Sequence, residues 1–479
     1  MNRRLNKLSV VALFFLGIIL YSCAVGPDFQ KPETQVPKYF TNYDSLAVDT
    51  LVNLKWWEIF NDPILDTLVL TALQENKNVN IAIARIEEAR ANFGFTEADI
   101  YPRFDIQGEA KRGNYAGSSI QLDSETNGFF IAPVVNWEID FWGKFRRANE
   151  SAQAQYLASE FSLRKIQISL ISEVVSTYFL LLDYRERLKI SESTLKSRME
   201  SLRIIQERFD KGIVPEIDLN QAQIQKEIAA TTVPLYKRLA VQTENSLSIL
   251  LGKLPTSIKS GTGLENRDIP PDIPTGLPSQ LLVRRPDIAE SEYLLQSQNA
   301  QIGVAVAKMF PSISLTGLFG LASDDLSTLT VGDPAWSISG TLLGPLFNFG
   351  KNTSRVEVEE AKTQQVLYQY EYTVINAFRE VEDALIDVQT YKEQLESLTR
   401  QYIAAKNAEK LSRMRYDLGV TSYLEVLESE RTLFNAELQL SEIRQATFNS
   451  YIRLYKALGG GWISKEEYVN AKNDKMEEK

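Results

Sequence analysis

Arg415-Tyr-Asp-Leu-Gly-Val-Thr-Ser-Tyr-Leu-Glu-Val-Leu-Glu-Ser-Glu430 decides how this chain folds, because it has an earlier echo. The echo is Arg208-Phe-Asp-Lys-Gly-Ile-Val-Pro-Glu-Ile-Asp-Leu-Asn-Gln-Ala222. In each copy a long amphipathic run ends in Arg-aromatic-Asp-x-Gly and restarts a few residues later. Gly212 and Gly419 stand where the end of a helix takes a left-handed residue, and Pro215 suits the first turn of the next helix. Each copy therefore reads as a tip joining two antiparallel helices, about 208–222 and about 415–430. The copies lie 415 − 208 = 207 residues apart. Phe141-Trp-Gly-Lys144 recurs as Asn348-Phe-Gly-Lys351, and Leu251-Gly252 as Leu458-Gly459. Tyr101-Pro102 recurs as Phe310-Pro311, two residues further on. The chain is a duplication, and its function must use both halves.

The segments leading into the tips are long. Residues 145–211 contain neither Pro nor Gly. Leu163, Ile166, Leu170, Val174, Tyr178 and Leu181 keep a helical stripe, and then Leu188, Leu195, Leu202 and Phe209 fall at seven-residue steps, a coiled-coil seam. The matching run, 352–418, carries Leu395, Leu398, Tyr402 and Ala405 in the equivalent region. At 1.5 Å per residue such helices reach roughly 100 Å. The return helices, Glu216–Leu251 and Thr421–Leu458, are about half as long. Asp62–Ile100 and Pro286–Met309 would stack on them to the same height, and Pro234 predicts a kink or local break in the first.

Between the helices the period switches to two. In Arg103–Ala110, Phe104, Ile106 and Ala110 face one way, while Arg103, Asp105, Gln107 and Glu109 face the other. Val135–Phe141 alternates as cleanly, and Ser312–Thr316 and Trp336–Leu342 repeat the pattern in the second half. The expected strands are about 101–117, 128–142, 311–322 and 335–349. Apolar-out, polar-in strands of about ten residues suit a transmembrane barrel, with Trp137, Phe141 and Trp336 as interfacial aromatics. A half-buried soluble sheet is the alternative. Helices of this length and an export signal weigh against it. Lipid forbids open sheet edges, so four strands need partners from other subunits. Two chains would give eight strands and a filled interior; three would give twelve and room for a channel.

The N-terminus supplies that export signal. Arg3, Arg4 and Lys7 precede an apolar run from Leu8 to Leu20, too short for the roughly 20 residues of a spanning helix. It reads as a signal peptide over 1–22. Leu20-Tyr-Ser-Cys23 resembles a bacterial lipobox, which makes Cys23, the single Cys of the chain, the expected first residue of a lipoprotein. A diacylglycerol and an N-acyl chain on Cys23 would be a supplementary anchor rather than a span. Ala24 follows instead of Asp, so nothing argues for retention at the inner membrane. The rest divides into a lipidated arm (23–60), a first repeat (61–259), a linker (260–285), a second repeat (286–463) and a charged tail (464–479).

The bulk numbers prune the functions. With 479 residues, 44% hydrophobic and 24% charged, the chain is not globally disordered. A net charge of −10 with no clustered basic face argues against a nucleic-acid partner. There is no His and only one Cys, so imidazole acid–base chemistry, multi-Cys metal sites and an internal disulfide are excluded. No catalytic constellation is present.

Taken together, Trp56-Trp57 with Asp62-Pro63-Ile-Leu65, Leu281-Leu-Val-Arg-Arg-Pro-Asp-Ile288 and the duplicated tip resemble the TolC-like outer-membrane efflux proteins, in their lipoprotein (NodT-type) branch. The resemblance covers essentially the whole mature chain. It implies a mainly α protein with a membrane β-barrel part, in which four strands and long coiled-coil helices per protomer build a homotrimer. Its twelve-stranded barrel in the outer membrane would continue into a twelve-helix periplasmic tunnel. It further implies docking onto a periplasmic adaptor (membrane fusion) protein joined to an inner-membrane RND-type pump. Arg284-Arg285-Pro286-Asp287 also reads as a helix start, with Pro286 at N1 and Asp287 in the first turn.

The resemblance assigns roles at the tips. Glu425 and Glu428 are three apart on one helix face and match the acidic residues ringing the family's periplasmic entrance. The alternative is a solvated face with Glu428 paired to Arg431. Asp218 and Tyr416 match positions that hold neighbouring helices closed through polar links. Thr421 stands where some members place an Arg, which predicts a weaker lock. Gly212, Gly419, Val420 and Leu424 match adaptor-docking positions. The expected function is a passive duct exporting drugs, toxic compounds or metal ions. The alternatives are a duct for type I protein secretion and a lipid-anchored periplasmic scaffold without a pore.

Overall fold

The computed structural model describes residues 24–34, 36–37, 40, 57, 60–113, 126–270 and 278–460. In chain order its regular elements are α1 (Pro63–Glu75), α2 (Lys77–Ala98), β1 (Arg103–Gly113), β2 (Thr126–Ile139), α3 (Lys144–Asp210) and α4 (Glu216–Leu250), then α5 (Pro278–Arg284), α6 (Pro286–Ala307), β3 (Ser312–Ser323), β4 (Ala335–Leu343), α7 (Lys351–Asp417) and α8 (Tyr423–Ala457). The expected signal peptide, Cys23, Trp56, most of the arm and the charged tail lie outside the described residues.

The duplication is exact over the helices that meet at the tips. Helices α3 and α7 are both 67 residues long and 351 − 144 = 207 apart; α4 and α8 are both 35 residues long and 423 − 216 = 207 apart. Before the long helices the offset is larger: 286 − 77 = 209 for α2 and α6, 312 − 103 = 209 for β1 and β3, and 335 − 126 = 209 for β2 and β4. From the start of its second strand to the start of its long helix the second repeat is therefore two residues shorter, 351 − 335 = 16 against 144 − 126 = 18. Strand β4 stops at Leu343 rather than near 349, because Gly344-Pro345 follows and Pro has no N–H for the ladder. Likewise β1 spans 103–113 and β2 126–139, shorter at their junction ends than the alternation predicts.

Two helix expectations change. Asp62–Ile100 is two helices, interrupted at Asn76, whose backbone turns extended (φ −62°, ψ 130°). The Asn76 side chain makes the break a cap: its Oδ1 accepts from Asn78 N at 2.8 Å, and its Nδ2 donates to Leu250 O at 2.8 Å. Pro234 does not break α4, which continues through it to Leu250.

The chain forms two compact units. The described part of the first lies within Met1–Thr34, Arg85–Glu160 and Glu290–Tyr372. It holds one antiparallel sheet of order β1-β2-β3-β4, with Trp137 opposite Leu315 where the two hairpins join. Strands β1 and β4 each leave one edge unpaired, and Phe104, Ile106, Trp336, Ile338 and Leu342 are exposed on them. Of the three expected interfacial aromatics, Trp336 is exposed. Trp137 is tied down, donating from Nε1 to Ile100 O at 3.0 Å, and Phe141 packs edge-on against Trp142. The arm begins where β2 passes into α3: Val25 N donates to Trp142 O at 3.0 Å, and buried Arg147 donates to Asp28 at 2.6 Å. A Cβ on Gly143 would stand 2.7 Å from Ala24 Cα, so the arm lies directly on that junction.

The second unit draws on Gln35–Ala84, Phe161–Ala289 and Thr373–Lys479. Its core stacks Phe179 on Phe448 at 4.6 Å, with Trp57, Phe60, Leu65 and Tyr451 around them. Two buried polar hubs organise it. Asp62 caps α1 through Ile64 N, while its other oxygen accepts from Tyr178 and Arg267, both at 2.6 Å. Burial pushes the Asp62 pKa up, but these hydrogen bonds outweigh it and the net shift is downward. Arg285, 6% exposed, forks onto Asp287 at 2.7 and 3.0 Å, reaches Glu380 at 2.7 Å, and donates to Ala457 O at the end of α8. The Arg-Arg-Pro-Asp stretch is thus a helix start that also ties the end of α8 to the middle of α7.

Candidate functional site

Both tips belong to the second unit and share one backbone solution. At the end of α3, Gly212 N donates to Phe209 O and Ile213 N to Arg208 O. At the end of α7, Gly419 N donates to Tyr416 O and Val420 N to Arg415 O. This is the Schellman pairing, and it needs a left-handed residue: φ is +73° at Gly212 and +74° at Gly419. The return helices start from Pro215 and Ser422, both extended and neither making a side-chain cap bond. The same pairing recurs where α4 and α8 end, at Gly252 and Gly459.

The tips pack on each other through a small apolar cluster. Ile205, Ala222, Tyr423, Val426 and Leu427 are buried, with Leu202, Val214, Leu219 and Tyr416 against them. The Tyr416 and Tyr423 rings sit 5.4 Å apart, and the Arg208 guanidinium lies 5.0 Å over the Tyr416 ring. On the outside, Val420 and Leu424 are 65% and 59% exposed. Ile213, Ile217 and Leu418 are exposed with them. These three are not among the expected docking residues. The signal was available, because Ile213 and Ile217 are Val420 and Leu424 shifted by 207.

The two candidate gate carboxylates are both paired. Glu425 accepts from Arg415 at 3.0 Å and from the Thr421 hydroxyl. Glu428 pairs with Arg431 at 2.7 Å, the expected alternative. Both pairs are half or more exposed at their arginines, so solvent screens them and each contributes little to stability. The structure does not join Asp218 to Tyr416 within the chain. The Tyr416 hydroxyl has no hydrogen-bond partner among the described residues. Asp218 instead lies near Tyr423, whose hydroxyl pKa is pushed up by burial first and by Glu430, Tyr416 and Asp218 after it. Among the described residues no group of three or more Cys, Asp or Glu side chains is placed to hold a metal ion.

Comparison with known proteins places the chain in a family. The family model described as "Outer membrane efflux protein" matches residues 68–253 and 277–460. The chain is 35% identical over 474 residues to the solvent efflux pump outer membrane protein SrpC of Pseudomonas putida, covering 96% of this chain and 99% of that one. It is 33% identical over 453 residues to the cation efflux system protein CusC of Escherichia coli O6:H1, covering 94% and 98%. Among solved structures it is similar to the outer-membrane channel OprN (TM-score 0.84, 30% identity, 92% of this chain and 100% of that one). It is also similar to the Campylobacter jejuni CmeC outer membrane channel (TM-score 0.85, 30% identity, 95% and 98%).

Proposed function

This chain belongs to the outer membrane efflux protein family, and from that premise we propose how its residues do the work of an efflux channel. Such channels are passive conduits rather than enzymes, reaching from the outer membrane into the periplasm. They assemble as trimers and act with a periplasmic adaptor and an inner-membrane pump. For this chain we assign an RND-type pump and a cargo of small molecules, organic compounds or metal ions. The relatives' printed names range from cations to solvents and toluene, which suits a duct that leaves selection to its pump.

The observation that carries the reading is the pair of open sheet edges. Strands β1 and β4 expose apolar side chains and unpaired backbone at once, a combination that lipid tolerates only when another chain completes the ladder. Three copies would close twelve strands around an aqueous lumen. At the tips, three copies of Glu425 and Glu428 would ring the entrance and attract cations. Arg415 and Arg431 offset those charges one for one, so the attraction requires the carboxylates to stand closer to the lumen than their arginines do. The exposed apolar set Ile213, Ile217, Leu418, Val420 and Leu424 would receive the adaptor. Lipid on Cys23 is supported by the arm: Ala24, the next residue, lies on Gly143 where the sheet gives way to helix.

Light scattering on the detergent-extracted protein, corrected for bound detergent and lipid, tests the assembly. Three chains per particle are expected. One chain, soluble without detergent once Cys23 is removed, would replace the channel with a lipid-anchored scaffold. Deleting the gene should raise sensitivity to the pump's substrates without loss of a secreted protein; the reverse pattern would point to protein secretion.

A further inference from the structure

The seam of α3 has two sets of seven-residue steps. Leu188, Leu195, Leu202 and Phe209 are half-buried, whereas Ser191, Arg198 and Ile205, three residues after the first three of them, are buried. Arg198 therefore occupies a core position of the coiled coil, where a polar residue serves register rather than stability. It is 3% exposed. Its Nη1 donates to Gln225 O on α4 at 2.7 Å, and its guanidinium lies 5.0 Å over the Phe434 ring on α8. Its Nε and Nη2 have no partner among the described residues. Arg198 lines a cavity of about 230 Å³ bounded by α3, α7 and α8.

Glu430 lines the same cavity from α8. It is bonded to Arg413 of α7, which also holds Glu409 at 3.0 Å. Arg198 is close enough to bias the Glu430 ionisation as well, although the two are not bonded. One carboxylate thus stands between two arginines, one satisfied and one with two idle donors. A buried guanidinium with unmet donors is unfavourable, so taking over Glu430 would relieve it.

We propose that Arg198, Glu430 and Arg413 form a two-position latch in which Glu430 exchanges arginines and so sets the rotation of α8 at the entrance. The proposal rests on the tip being the gate, because α8 also bears Glu425 and Glu428, five and two residues before Glu430. Arg198 is a positioning residue: it touches no cargo and acts through the helix that carries the gate acids. Such an element, with two discrete packings, is what both states of a gate need.

The test uses the purified trimer in planar bilayers, with assembly confirmed by light scattering. Arg198→Met keeps the length and the contact with Phe434 but frees Glu430 for Arg413 alone; Arg413→Met leaves Arg198 as its only partner. The two substitutions should shift the open fraction several-fold in opposite directions, and Glu430→Gln should abolish both effects. Arg198→Lys, which keeps the charge and guards against a folding failure, should fall between wild type and Arg198→Met. If Arg198→Met lowers the melting temperature but leaves the open fraction at wild type, cavity water satisfies the guanidinium and the latch is refuted. Shifts in the same direction refute it too. Glu425→Gln with Glu428→Gln separates the underlying reading: lost cation selectivity beside unmoved open fractions in the arginine variants sinks the latch alone. Opposite shifts beside unchanged selectivity sink the acidic ring and leave the latch standing.

Discussion

At equivalent positions 207 residues apart, Arg208 and Arg415 close the same helical turn with the same backbone bonds, yet their side chains go different ways. Arg415 stays in its own tip and bonds Glu425. Arg208 has no ion pair with Asp218, the residue equivalent to Glu425, and instead covers the Tyr416 ring of the other tip. The first tip thus reaches over the second, while the second pairs its Glu425 within itself. The same division runs up the hairpins. Arg198 faces the cavity where its equivalent, Ala405, is merely small and buried, and Glu430 corresponds to an exposed Gln223. Duplication supplied one backbone twice, and side chains at matched positions have diverged, which on the proposed function separates a supporting tip from a gating one.

The largest effect expected from collapsing this difference comes from charging the second seam. Ala405→Arg would bury a guanidinium at a position with no Glu430 opposite it. An unpaired buried charge costs about 3–5 kcal/mol, so the melting midpoint of the trimer should fall steeply, if the variant assembles at all. A midpoint within the scatter of wild type would mean that the two seams are interchangeable and the comparison is wrong.

Next in size is the contrast between the acids. Glu425→Gln with Glu428→Gln should reduce cation selectivity clearly in reversal-potential measurements at asymmetric salt. Asp218→Asn, in the supporting tip, should reduce it much less. Equal effects from the two variants would erase the distinction between tips.

What could be read in advance followed locality. The tip glycines, the uninterrupted 67-residue helices and the alternating strands depend on neighbours within a few positions, so propensity and period reveal them. The interruption at Asn76 combines a local cap bond from Asn78 N with a reach to the Leu250 carbonyl 174 residues away, and the second is silent in the sequence. Arg285-Pro286-Asp287 announced a helix start because Pro and Asp act within one turn. Its reach to Glu380 and Ala457 is tertiary and silent in the sequence. Arg198 escaped for a different reason. It sits three residues beyond Leu195 on the seam, and a long charged side chain there looks like a solvated position until the burial of its neighbours is known. At the candidate gate the acids were legible by resemblance, whereas their arginine partners across the turn required the fold.

A pH titration sharpens the contrast between Glu430 and Gln223. Burial holds the Glu430 pKa above its ordinary 4.5, with Arg413 and Arg198 pulling it back only in part. In the interval between the ordinary and the raised value, the folded protein keeps a proton that the unfolded chain has released. This contribution to stability is therefore fully present below the ordinary pKa and is lost as pH rises through the raised one. Melting midpoints measured from about pH 4 to pH 8 should show that decline. Glu430→Gln should flatten it, and Gln223→Glu, on the exposed face, should add no slope of its own. An unchanged slope in Glu430→Gln would assign the titration to the other carboxylates whose pKa burial raises, Asp183, Glu186 and Glu437.

The smallest difference expected is none, and it tests the part of the comparison that should be symmetric. Gly212 and Gly419 have left-handed backbones within one degree of each other, and a Cβ at either would meet no atom within 4 Å. Strain in the turn is then the whole penalty of Gly212→Ala or Gly419→Ala, about 1 kcal/mol in each case. If the Schellman turns are equivalent, the two variants should lower the melting midpoint equally, whatever the side chains around them do. A larger loss at Gly419 would show that its turn is braced by contacts the first tip lacks, with the Arg415–Glu425 bridge directly across it as the first suspect. Removing that bridge with Arg415→Met should then bring the two glycine variants back into line, because nothing else separates the two turns in backbone geometry.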